Sequence, residues 1–446
     1  MTKSLRIIEL TEWQAVTPAE DVRLKGSSLR DDRLAQEVAG TLRNRVDIRE
    51  GYEGLELSTT SFVGSIEVGP LRILIRPKLP AMPLTQLFRY AYGLNDVAIF
   101  DETETSVGCL GLQDLLITML AQEVELLSHG KFVRHYVPVL ATLASPRGTV
   151  LLDKVARVGG ITEAALPCRY FERQLNWTLN QILRTGLDIA ARLTADRDLR
   201  RRVFQLADRF GDVAVKSRLD VTLIDRAERG LTRLTSAYRP ALSLIGLLVR
   251  TLGVSFGVST LSSPVPGFLF DMNVFFQRLL SRYLRENAIP YRVMDERAIG
   301  NVFAFATDGN PKGRSPPKPR PDYALLEGSA LRAYLDAKYR DIWSRGVPAN
   351  WLYQLSVYAL ASPRRTSVLL YASMSDNARD ERLEIHEPVL GSGNGYAVVI
   401  IRPVPLLRLA QLVSSDGPDI AKERRRMAKQ LLCLDVDGCQ LKRFPK

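Results

Sequence analysis

Two aspartates and a lysine within residues 320–340 have the types and spacing of a metal-dependent hydrolysis site. Asp322 and Asp336 lie at equal distances in sequence from position 329. That position falls within the short sequence Glu-Gly-Ser-Ala. Because Gly and Ser favour a tight turn, a hairpin folded there places the two carboxylates opposite one another. Lys338 follows Asp336 by two residues, so the period of a strand directs both side chains to the same face.

These three groups favour phosphodiester hydrolysis. Mg²⁺ takes oxygen ligands and keeps several waters, so the carboxylates of Asp322 and Asp336 with a backbone carbonyl would suit it. Such an ion polarises a phosphoryl oxygen and lowers the pKa of bound water. Lys338 could orient that water, assist its deprotonation or offset charge on the phosphate. The alternative is a surface hairpin with an ion pair between Lys338 and one aspartate, because a bare Asp-x-Lys pattern often arises by chance.

The surrounding sequence supports a sheet and adds two polar groups. Asp336 and Lys338 lie in an otherwise apolar, β-prone run. A helix predicted over 349–361 carries Gln354 and Tyr358 four residues apart, and this spacing places them on one helical face. There, an amide and a phenol could reach a phosphate or a metal-bound water.

Mixed helices and strands are expected to position these residues. After a Ser- and Pro-rich linker at 262–267, the patterns predict a series of elements ending beyond the candidate site. They are a helix at 271–286, a strand at 290–294, a basic Pro-rich loop at 307–319, two strands, the helix at 349–361 and a strand at 366–371. Such alternation is typical of a mixed α/β domain.

The chain before the linker divides into two further regions. Strands and turns are predicted for the first 80 residues, including a strand at 5–10 and a hairpin at 61–80 that turns at Gly69 and Pro70. Helical spacing then dominates at 84–92, 112–127 and 172–252, interrupted by an extended stretch at 132–142 and a turn at 145–148. The predicted fold class is therefore α+β and multi-domain. It comprises a β-rich N-terminal module (1–80), a mainly helical connector (81–261) and a C-terminal α/β domain (262–446).

The composition is that of a basic globular protein. Lys and Arg outnumber Asp and Glu by 61 to 49, a net charge of +12, which favours a polyanionic partner or an anionic surface without fixing a fold. Hydrophobic residues at 46% and charged residues at 25% exclude extensive disorder, collagen and a membrane bundle.

The cysteines and the apolar segments indicate the compartment. Four scattered cysteines are too few for a disulfide framework and lack zinc-ligand spacing, so a catalytic metal must rest on carboxylates. The N-terminal segment lacks the apolar core of a signal peptide, and the most apolar run, 241–249, is too short to span a bilayer. We expect a cytoplasmic protein with no membrane partner.

Several of these motifs occur together in known nucleases. Pro-Asp at 321–322, Asp-Ala-Lys-Tyr at 336–339 and the Gln354/Tyr358 pair resemble the PD-(D/E)xK nuclease superfamily, particularly its RecB-like branch. Further segments resemble the McrC family, and they lie at 63–80, 146–148, 238–249 and 270–280. The resemblance covers most of the chain. It implies a restriction-endonuclease-like C-terminal domain and a nuclease subunit of a McrBC-type, modification-dependent restriction system.

This resemblance also implies partners. McrC proteins dock through their N-terminal region into a hexameric ring of McrB, an AAA+ GTPase, and stimulate its GTP hydrolysis. In agreement, this chain has no G-x-x-x-x-G-K-[ST] phosphate loop, so we expect no nucleotide bound by the chain itself. Recognition of methylated or otherwise modified double-stranded DNA belongs to the partner, and the contacts made here should be mainly to the backbone.

The family pattern assigns roles at the site. It places the ligands of Mg²⁺ (or Mn²⁺) on Asp322 and Asp336, the catalytic lysine on Lys338, and an accessory role on Gln354. Where family members tend to have an acidic residue, this sequence has Gln277, which can contact a metal or a water but supplies no charge. That departure weighs against a second metal.

Other polar residues have two interpretations each. Asp271 or Glu286 could compensate for the missing acid, although Asp271 at a helix start is more simply a cap. Arg147, in Pro-Arg-Gly, could act in trans at a partner's nucleotide as arginine fingers do, or be an ordinary solvated turn residue. A basic cluster could bind phosphates or form a solvated helix face, and it consists of Lys422, Arg424, Arg425 and Arg426.

Two alternative functions stay open on the sequence. A stand-alone RecB-like repair nuclease would share the chemistry but need no NTPase. A non-catalytic activator of the AAA+ ring would carry a decayed nuclease site, an interpretation favoured by Gln277 and opposed by the intact Asp322, Asp336 and Lys338.

Overall fold

The chain folds into two compact units. The structure, a computed structural model, describes residues 6–94, 111–129, 132–157, 160, 164–194, 196–216, 219–255, 267–386 and 395–434. One unit holds the described residues within 1–94 and 267–446, and the other holds those within 110–266. The described residues of 6–80 and of 267–434, which fall in two separate regions of the sequence-based division, therefore contribute to the same compact unit.

The N-terminal part of the first unit is mainly β-structure. Its elements are β1 (Arg6–Thr11), β2 (Ala15–Val16), α1 (Arg33–Thr41), β3 (Val46–Glu50), β4 (Leu55–Thr59), β5 (Phe62–Val68), β6 (Leu71–Arg76) and α2 (Ala81–Tyr92). The predicted hairpin is confirmed, because β5 and β6 pair antiparallel around Gly69, whose φ is 57°. Helix α1 corrects the expectation of strands and turns alone. Asp32 caps α1 by accepting a hydrogen bond from the Ala35 N–H.

The second unit combines helices with a small antiparallel sheet. Its elements are α3 (Leu112–His129), β7 (His135–Leu143), β8 (Thr149–Val150), α4 (Leu152–Arg157), β9 (Leu166–Gln174), α5 (Thr178–Leu193), α6 (Arg197–Asp208), α7 (Val221–Arg229) and α8 (Arg239–Ser255). The predicted helical region is confirmed in the main, but its first residues belong to β9, which pairs with β7 along its whole length.

The C-terminal part of the first unit is a mixed α/β structure. It contains β10 (Gly267–Asp271), α9 (Met272–Asn287), β11 (Tyr291–Asp295), β12 (Tyr323–Glu327), β13 (Ala330–Lys338), α10 (Ala349–Ala361), β14 (Thr366–Ser373), β15 (Glu381–Ile385), β16 (Ala397–Pro405), α11 (Leu406–Ser414) and α12 (Pro418–Leu432). A six-stranded sheet has the order β11-β12-β13-β14-β16-β15, with β13, β14 and β16 mutually parallel and the outer pairs antiparallel. The mixed α/β class is therefore confirmed.

The apolar core beneath the candidate site joins this sheet to α10. Buried side chains from β12, β13 and β14 meet Leu355 and Tyr358 of α10. The helix is anchored further by the Ser367 hydroxyl, which donates to the Leu355 carbonyl at 2.8 Å. Packing therefore holds one face of α10 against the hairpin that carries the aspartates.

Strand β10 joins the two ends of the chain in one sheet, because it pairs antiparallel with β5 in the order β1-β6-β5-β10. The strands approach closely at Gly64, which has a φ of 136°, and a Cβ added to this residue would lie only 2.0 Å from the Phe268 carbonyl oxygen. A side chain at this position would separate the two strands.

We expect Gly64→Ala to lower the stability of the first unit by at least about 2 kcal/mol, since it adds a backbone clash to an unfavourable φ. The midpoint of thermal unfolding should fall by about 4–8 °C. Gly300→Ala is the matched control, because a Cβ there meets open space without a positive φ. Equal melting temperatures for the two variants would contradict the close approach.

Two further observations concern the membrane and the cysteines. Within the described ranges, no helix has both the length and the apolar character needed to cross a bilayer. Cys433 is disulfide-bonded, which its spacing in the sequence did not predict, whereas Cys168 is free and buried.

Candidate functional site

The predicted hairpin brings the two aspartates together. Strands β12 and β13 pair antiparallel about Gly328, whose φ of 61° suits the tight turn. Tyr323 lies opposite Leu335. One step outward on this register, Asp322 faces Asp336, as the symmetry about position 329 predicts.

Asp322 is held by two donors. Its Oδ1 accepts a hydrogen bond from Gln277 Nε2 at 2.9 Å, and its Oδ2 accepts one from the Ala337 backbone N–H at 2.7 Å. The backbone of Gln277 is fixed in turn, because the Tyr323 hydroxyl donates to the Gln277 backbone carbonyl at 2.6 Å. The residue that departs from the family pattern thus orients a carboxylate instead of adding one.

Asp336 and Lys338 form a close ion pair inside the sheet. The Lys338 Nζ lies 2.8 Å from Asp336 Oδ2, and Asp336 is only 2% exposed. The Lys338 ammonium also lies 5.9 Å from the centroid of the Trp351 ring on α10. The lysine is therefore constrained by a carboxylate on one side and an aromatic face on the other.

The two aspartates make an electrostatically costly pair. Burial, together with the charge of Asp336, raises the pKa of Asp322 from its ordinary 3.8 to about 7. Burial also raises the pKa of Asp336, against the opposing effect of Lys338. Buried carboxylates that repel each other become favourable when a cation lies between them.

The carboxylate oxygens at this site fit a hard divalent cation that takes only some of its ligands from the protein. In the part of the chain that the structure describes, no three His, Cys, Asp or Glu side chains cluster as metal ligands. Mg²⁺ commonly binds through one or two carboxylates and completes its octahedron with water and substrate phosphate. The oxygens of Asp322 and Asp336 can supply those two carboxylates.

Gln354 and Tyr358 lie beside the hairpin with their polar ends paired. Gln354 Nε2 donates to the Tyr358 hydroxyl at 2.7 Å, and that hydroxyl donates to the Arg320 carbonyl at 2.9 Å. Burial, followed by the charges of Asp336 and Asp322, raises the pKa of Tyr358 to about 12. Tyr358 therefore fixes the chain just before Asp322, while Gln354 is half-buried above it.

The remaining acidic candidates lie apart from the aspartate pair. Asp271 caps α9 by accepting from the Asn273 N–H at 2.9 Å, as expected for a cap. Glu286 accepts hydrogen bonds from Tyr90 and Arg282. Neither contacts Asp322 or Asp336, so neither replaces the charge that Gln277 lacks.

The basic candidates also have defined positions. Arg147 is exposed in the turn between β7 and β8, in the second unit. Arg424 of the C-terminal basic cluster has a structural role. Its guanidinium donates to the backbone carbonyls of Leu412 and Ser415 at 2.7 and 2.5 Å. It thus satisfies the end of α11 and is not a free phosphate ligand.

Three neighbours of the site were not predicted from the sequence. The Asn273 Oδ1 accepts from the Tyr339 N–H at 2.9 Å, and the Trp13 indole N–H donates to the Tyr339 carbonyl at 3.1 Å. The buried carboxylate of Glu12 accepts from the Tyr339 hydroxyl at 3.2 Å. Asn273 lies within the family-like segment at 270–280, which could have pointed to it, but no local pattern links Trp13 or Glu12 to a strand so distant in sequence.

The raised pKa of Asp322 predicts a pH-dependent stability. Between about pH 4 and pH 7 the folded metal-free chain holds a proton that the unfolded chain releases, so stability falls as the pH rises through this window. We expect Asp322→Asn to raise the melting temperature at pH 8 by roughly 2–4 °C or more and to change it little at pH 4. Thermal unfolding of the variant and of the parent in EDTA, at pH 8 and at pH 4, measures these differences in melting temperature. A variant less stable than the parent at pH 8 would contradict the assignment.

The fold and the site together define a mixed α/β protein whose sheet presents two buried carboxylates and a lysine suited to a divalent cation. Residues 57–372 match the family model described as McrBC 5-methylcytosine restriction system component. Since this match spans more than half of the chain, the chain belongs to the McrBC family.

Solved structures that this chain resembles include two McrBC assemblies. A chain of the Thermococcus gammatolerans half-complex of McrB AAA+ hexamers with bound McrC is 18% identical, with a TM-score of 0.59. The alignment covers 96% of this chain and 100% of that one. A chain of the T. gammatolerans McrBC complex is 20% identical over 64% of this chain and 89% of that one, with a TM-score of 0.46. No curated protein matches this chain.

Proposed function

We propose that this chain is the Mg²⁺-dependent DNA endonuclease subunit of a McrBC-type restriction system. The observation that carries the proposal is the convergence of Asp322, Asp336 and Lys338 at the end of one hairpin. A mixed sheet that carries these residues, with α9 and α10 packed beside it, supports the PD-(D/E)xK fold for the C-terminal part. Family membership supplies the biological setting.

In this proposal, the oxygens of Asp322 and Asp336 hold the ion next to the scissile phosphate. When bound, Mg²⁺ polarises a phosphoryl oxygen and acidifies a water. Gln277 and the Ala337 N–H fix the orientation of the Asp322 carboxylate. Lys338 places a positive charge beside Asp336 and the phosphate, where it offsets charge developing on the phosphoryl group and can take part in proton transfer.

Gln354 and Tyr358 act on this site from the adjacent helix. The Tyr358 hydroxyl fixes the backbone carbonyl of Arg320, two residues before Asp322. Gln354 is attached to that hydroxyl and has an amide that can contact a water or phosphate when DNA is present. We therefore assign Tyr358 a positioning role and keep Gln354 as an accessory residue.

We further propose that an AAA+ GTPase ring is the partner. The T. gammatolerans assembly joins McrB AAA+ hexamers to bound McrC, and this sequence lacks a phosphate loop of its own. Arg147, exposed in the turn between β7 and β8, could supply charge at a partner's nucleotide. Modified double-stranded DNA is the proposed substrate, contacted here through its backbone.

The test combines the chain with its AAA+ partner, methylated duplex DNA, GTP and Mg²⁺. We expect cleavage that requires every component and stops when EDTA is added. Cleavage by the chain alone would instead support a stand-alone nuclease. Stimulated GTP hydrolysis without cleavage would support a non-catalytic activator. Either outcome would contradict the proposal.

A further inference from the structure

A second cation lies beside the lysine of the site. Arg340 follows Lys338 by two residues, and its guanidinium carbon lies 4.7 Å from the centroid of the Trp13 ring and 6.0 Å from that of Trp351. The Lys338 ammonium lies 5.9 Å from the same Trp351 ring. The Trp351 ring therefore lies near both cations, and Trp13, from the turn between β1 and β2, supports the second.

Arg340 has no acidic partner in the described part of the chain. Its Nε is buried and makes no hydrogen bond there. Burial and the nearby charge of Arg345 both lower the pKa of Arg340, so its surroundings disfavour the charge that it carries. A half-buried guanidinium beside another cation is costly unless an anion binds to it.

Two carboxylates line the same small cavity as Arg340, but neither forms an ion pair with it in the described part of the chain. Asp341 accepts hydrogen bonds from the Ser373 hydroxyl and from the backbone N–H groups of Trp343 and Met374. Glu12 accepts from the Lys78 N–H and the Tyr339 hydroxyl through Oε1, while its buried Oε2 makes no hydrogen bond, to Arg340 or to any other described group. The cavity therefore leaves the Arg340 guanidinium available to an outside anion.

We propose that Arg340 binds a DNA phosphate next to the scissile one, with Trp13 and Trp351 as positioning residues for its guanidinium. The inference rests on the proposed nuclease function and deepens it. A planar guanidinium stacks on aromatic rings and pairs with phosphate through two parallel hydrogen bonds. Arg340 lies in a bend two residues after Lys338, the last residue of β13. Lys338 can therefore face the scissile phosphate while Arg340 binds its neighbour.

The consequence is a site built from both ends of the chain. Trp13 is fixed to the catalytic strand because its indole N–H donates to the Tyr339 carbonyl. The turn between β1 and β2 thus supports the proposed DNA contact at the cleavage site directly. This contact is to the backbone, so it adds affinity and register without sequence preference.

The salt dependence of DNA binding tests this directly. The probe is a fluorescein-labelled methylated duplex of about 20 base pairs, bound to the full chain in EDTA at about 50–200 mM KCl. The affinity falls with salt, and each lost phosphate contact makes the slope of log K against log salt shallower by about 0.9. We expect this change for Arg340→Gln. Arg365→Gln is the matched control, because Arg365 also lies over an aromatic ring, 4.8 Å from the Tyr396 centroid, outside the site.

Variants of Trp13 distinguish a role in DNA binding from a role in packing alone. Trp13→Phe keeps an aromatic face and should retain the slope, whereas Trp13→Ala should reproduce part of the Arg340→Gln effect. In the cleavage assay, Arg340→Gln should raise KM several-fold and leave kcat within about threefold. A purely structural stack would lower the melting temperature with an unchanged slope, and that result would overturn the inference.

The failure of this inference is distinguishable from failure of the proposed function. In one outcome, Asp336→Asn abolishes cleavage while Arg340→Gln and Arg365→Gln show the same salt dependence of DNA binding. That result would support the nuclease assignment and contradict the phosphate contact of Arg340. If Asp336→Asn cleaves like the unsubstituted chain, the nuclease assignment itself falls. Absence of duplex binding by the unsubstituted chain would also overturn the phosphate contact.

Discussion

Asp336→Asn should reduce Mg²⁺-dependent DNA cleavage by more than about a hundredfold. The amide keeps the shape of a side chain that is 2% exposed but removes the charge that pairs with Lys338 and that would bind the proposed cation. Loss of residues that only support metal ligands typically costs about 10- to 100-fold, so losing a ligand should cost more. The proposed stimulation of the partner's GTP hydrolysis should be unchanged, because in the proposed function the carboxylate of Asp336 serves cleavage alone.

The measurement is a side-by-side time course of duplex cleavage and GTP hydrolysis in the assembled complex. Glu327→Gln is the matched control, since Glu327 lies on the same hairpin and pairs with Arg332 outside the site. The control should cleave within about twofold of the unsubstituted chain, as expected for a half-exposed ion pair outside the site. Equal cleavage by Asp336→Asn and Glu327→Gln would contradict the assigned site.

Lys338→Met should lower the cleavage rate by about 10²- to 10⁴-fold, the usual contribution of a positioned proton-transfer group. Methionine keeps an apolar stem against Trp351 and removes the ammonium. Because Lys338 lowers the pKa of Asp336, the variant should also bind Mg²⁺ more weakly near pH 6 than near pH 8. Saturating Mg²⁺ at pH 8 should therefore leave the rate defect without the binding defect.

The pH–rate profile and Lys338→Arg define the role of the lysine. Arginine retains the charge but cannot release a proton under assay conditions. Recovery of most activity by Lys338→Arg would show that charge alone matters, whereas continued loss would indicate proton transfer. A Lys338→Met variant that cleaves at the parent rate at pH 8 would contradict both roles.

The position of the aspartates was predictable, but the reason that they meet was not. At the turn, Glu327 faces Ala330, a register that on its own would place Asp322 opposite Leu335. A β-bulge midway along the pair adds one residue and brings Asp322 opposite Asp336. Bulges commonly redirect side chains near functional sites. The sequence prediction reached the right pair because it centred the turn on Ser329. The observed turn gives this pair only together with the bulge, which packing and not the local sequence specifies.

Elements with strong local patterns were predicted well. The helix at 349–361 has the bounds of α10, and the helix and strand predicted at 271–286 and 290–294 match α9 and β11 within one residue. Each is defined by nearby signals, namely apolar periodicity, a capping Asp271 or a preceding Pro290. Local propensity was sufficient in these cases.

Long-range pairings were beyond the sequence patterns. No strand was predicted for β10, whose end residues Gly267 and Asp271 were assigned to the linker and to the helix start, yet it completes the N-terminal sheet against Gly64. Trp13 reaches Tyr339 by the same association. These contacts depend on how the two ends of the chain pack, and no periodicity in either segment encodes the other. The division into an N-terminal module and a C-terminal domain missed them for that reason.

The most direct test of the central claim is the position of the cation. Crystals of the full chain grown with Mn²⁺ and a short duplex would give an anomalous diffraction signal at each bound ion. We predict a peak about 2.0–2.2 Å from a carboxylate oxygen of both Asp322 and Asp336, and no such peak in Asp336→Asn. A bound Mn²⁺ ion elsewhere, or a peak that survives Asp336→Asn, would contradict the account.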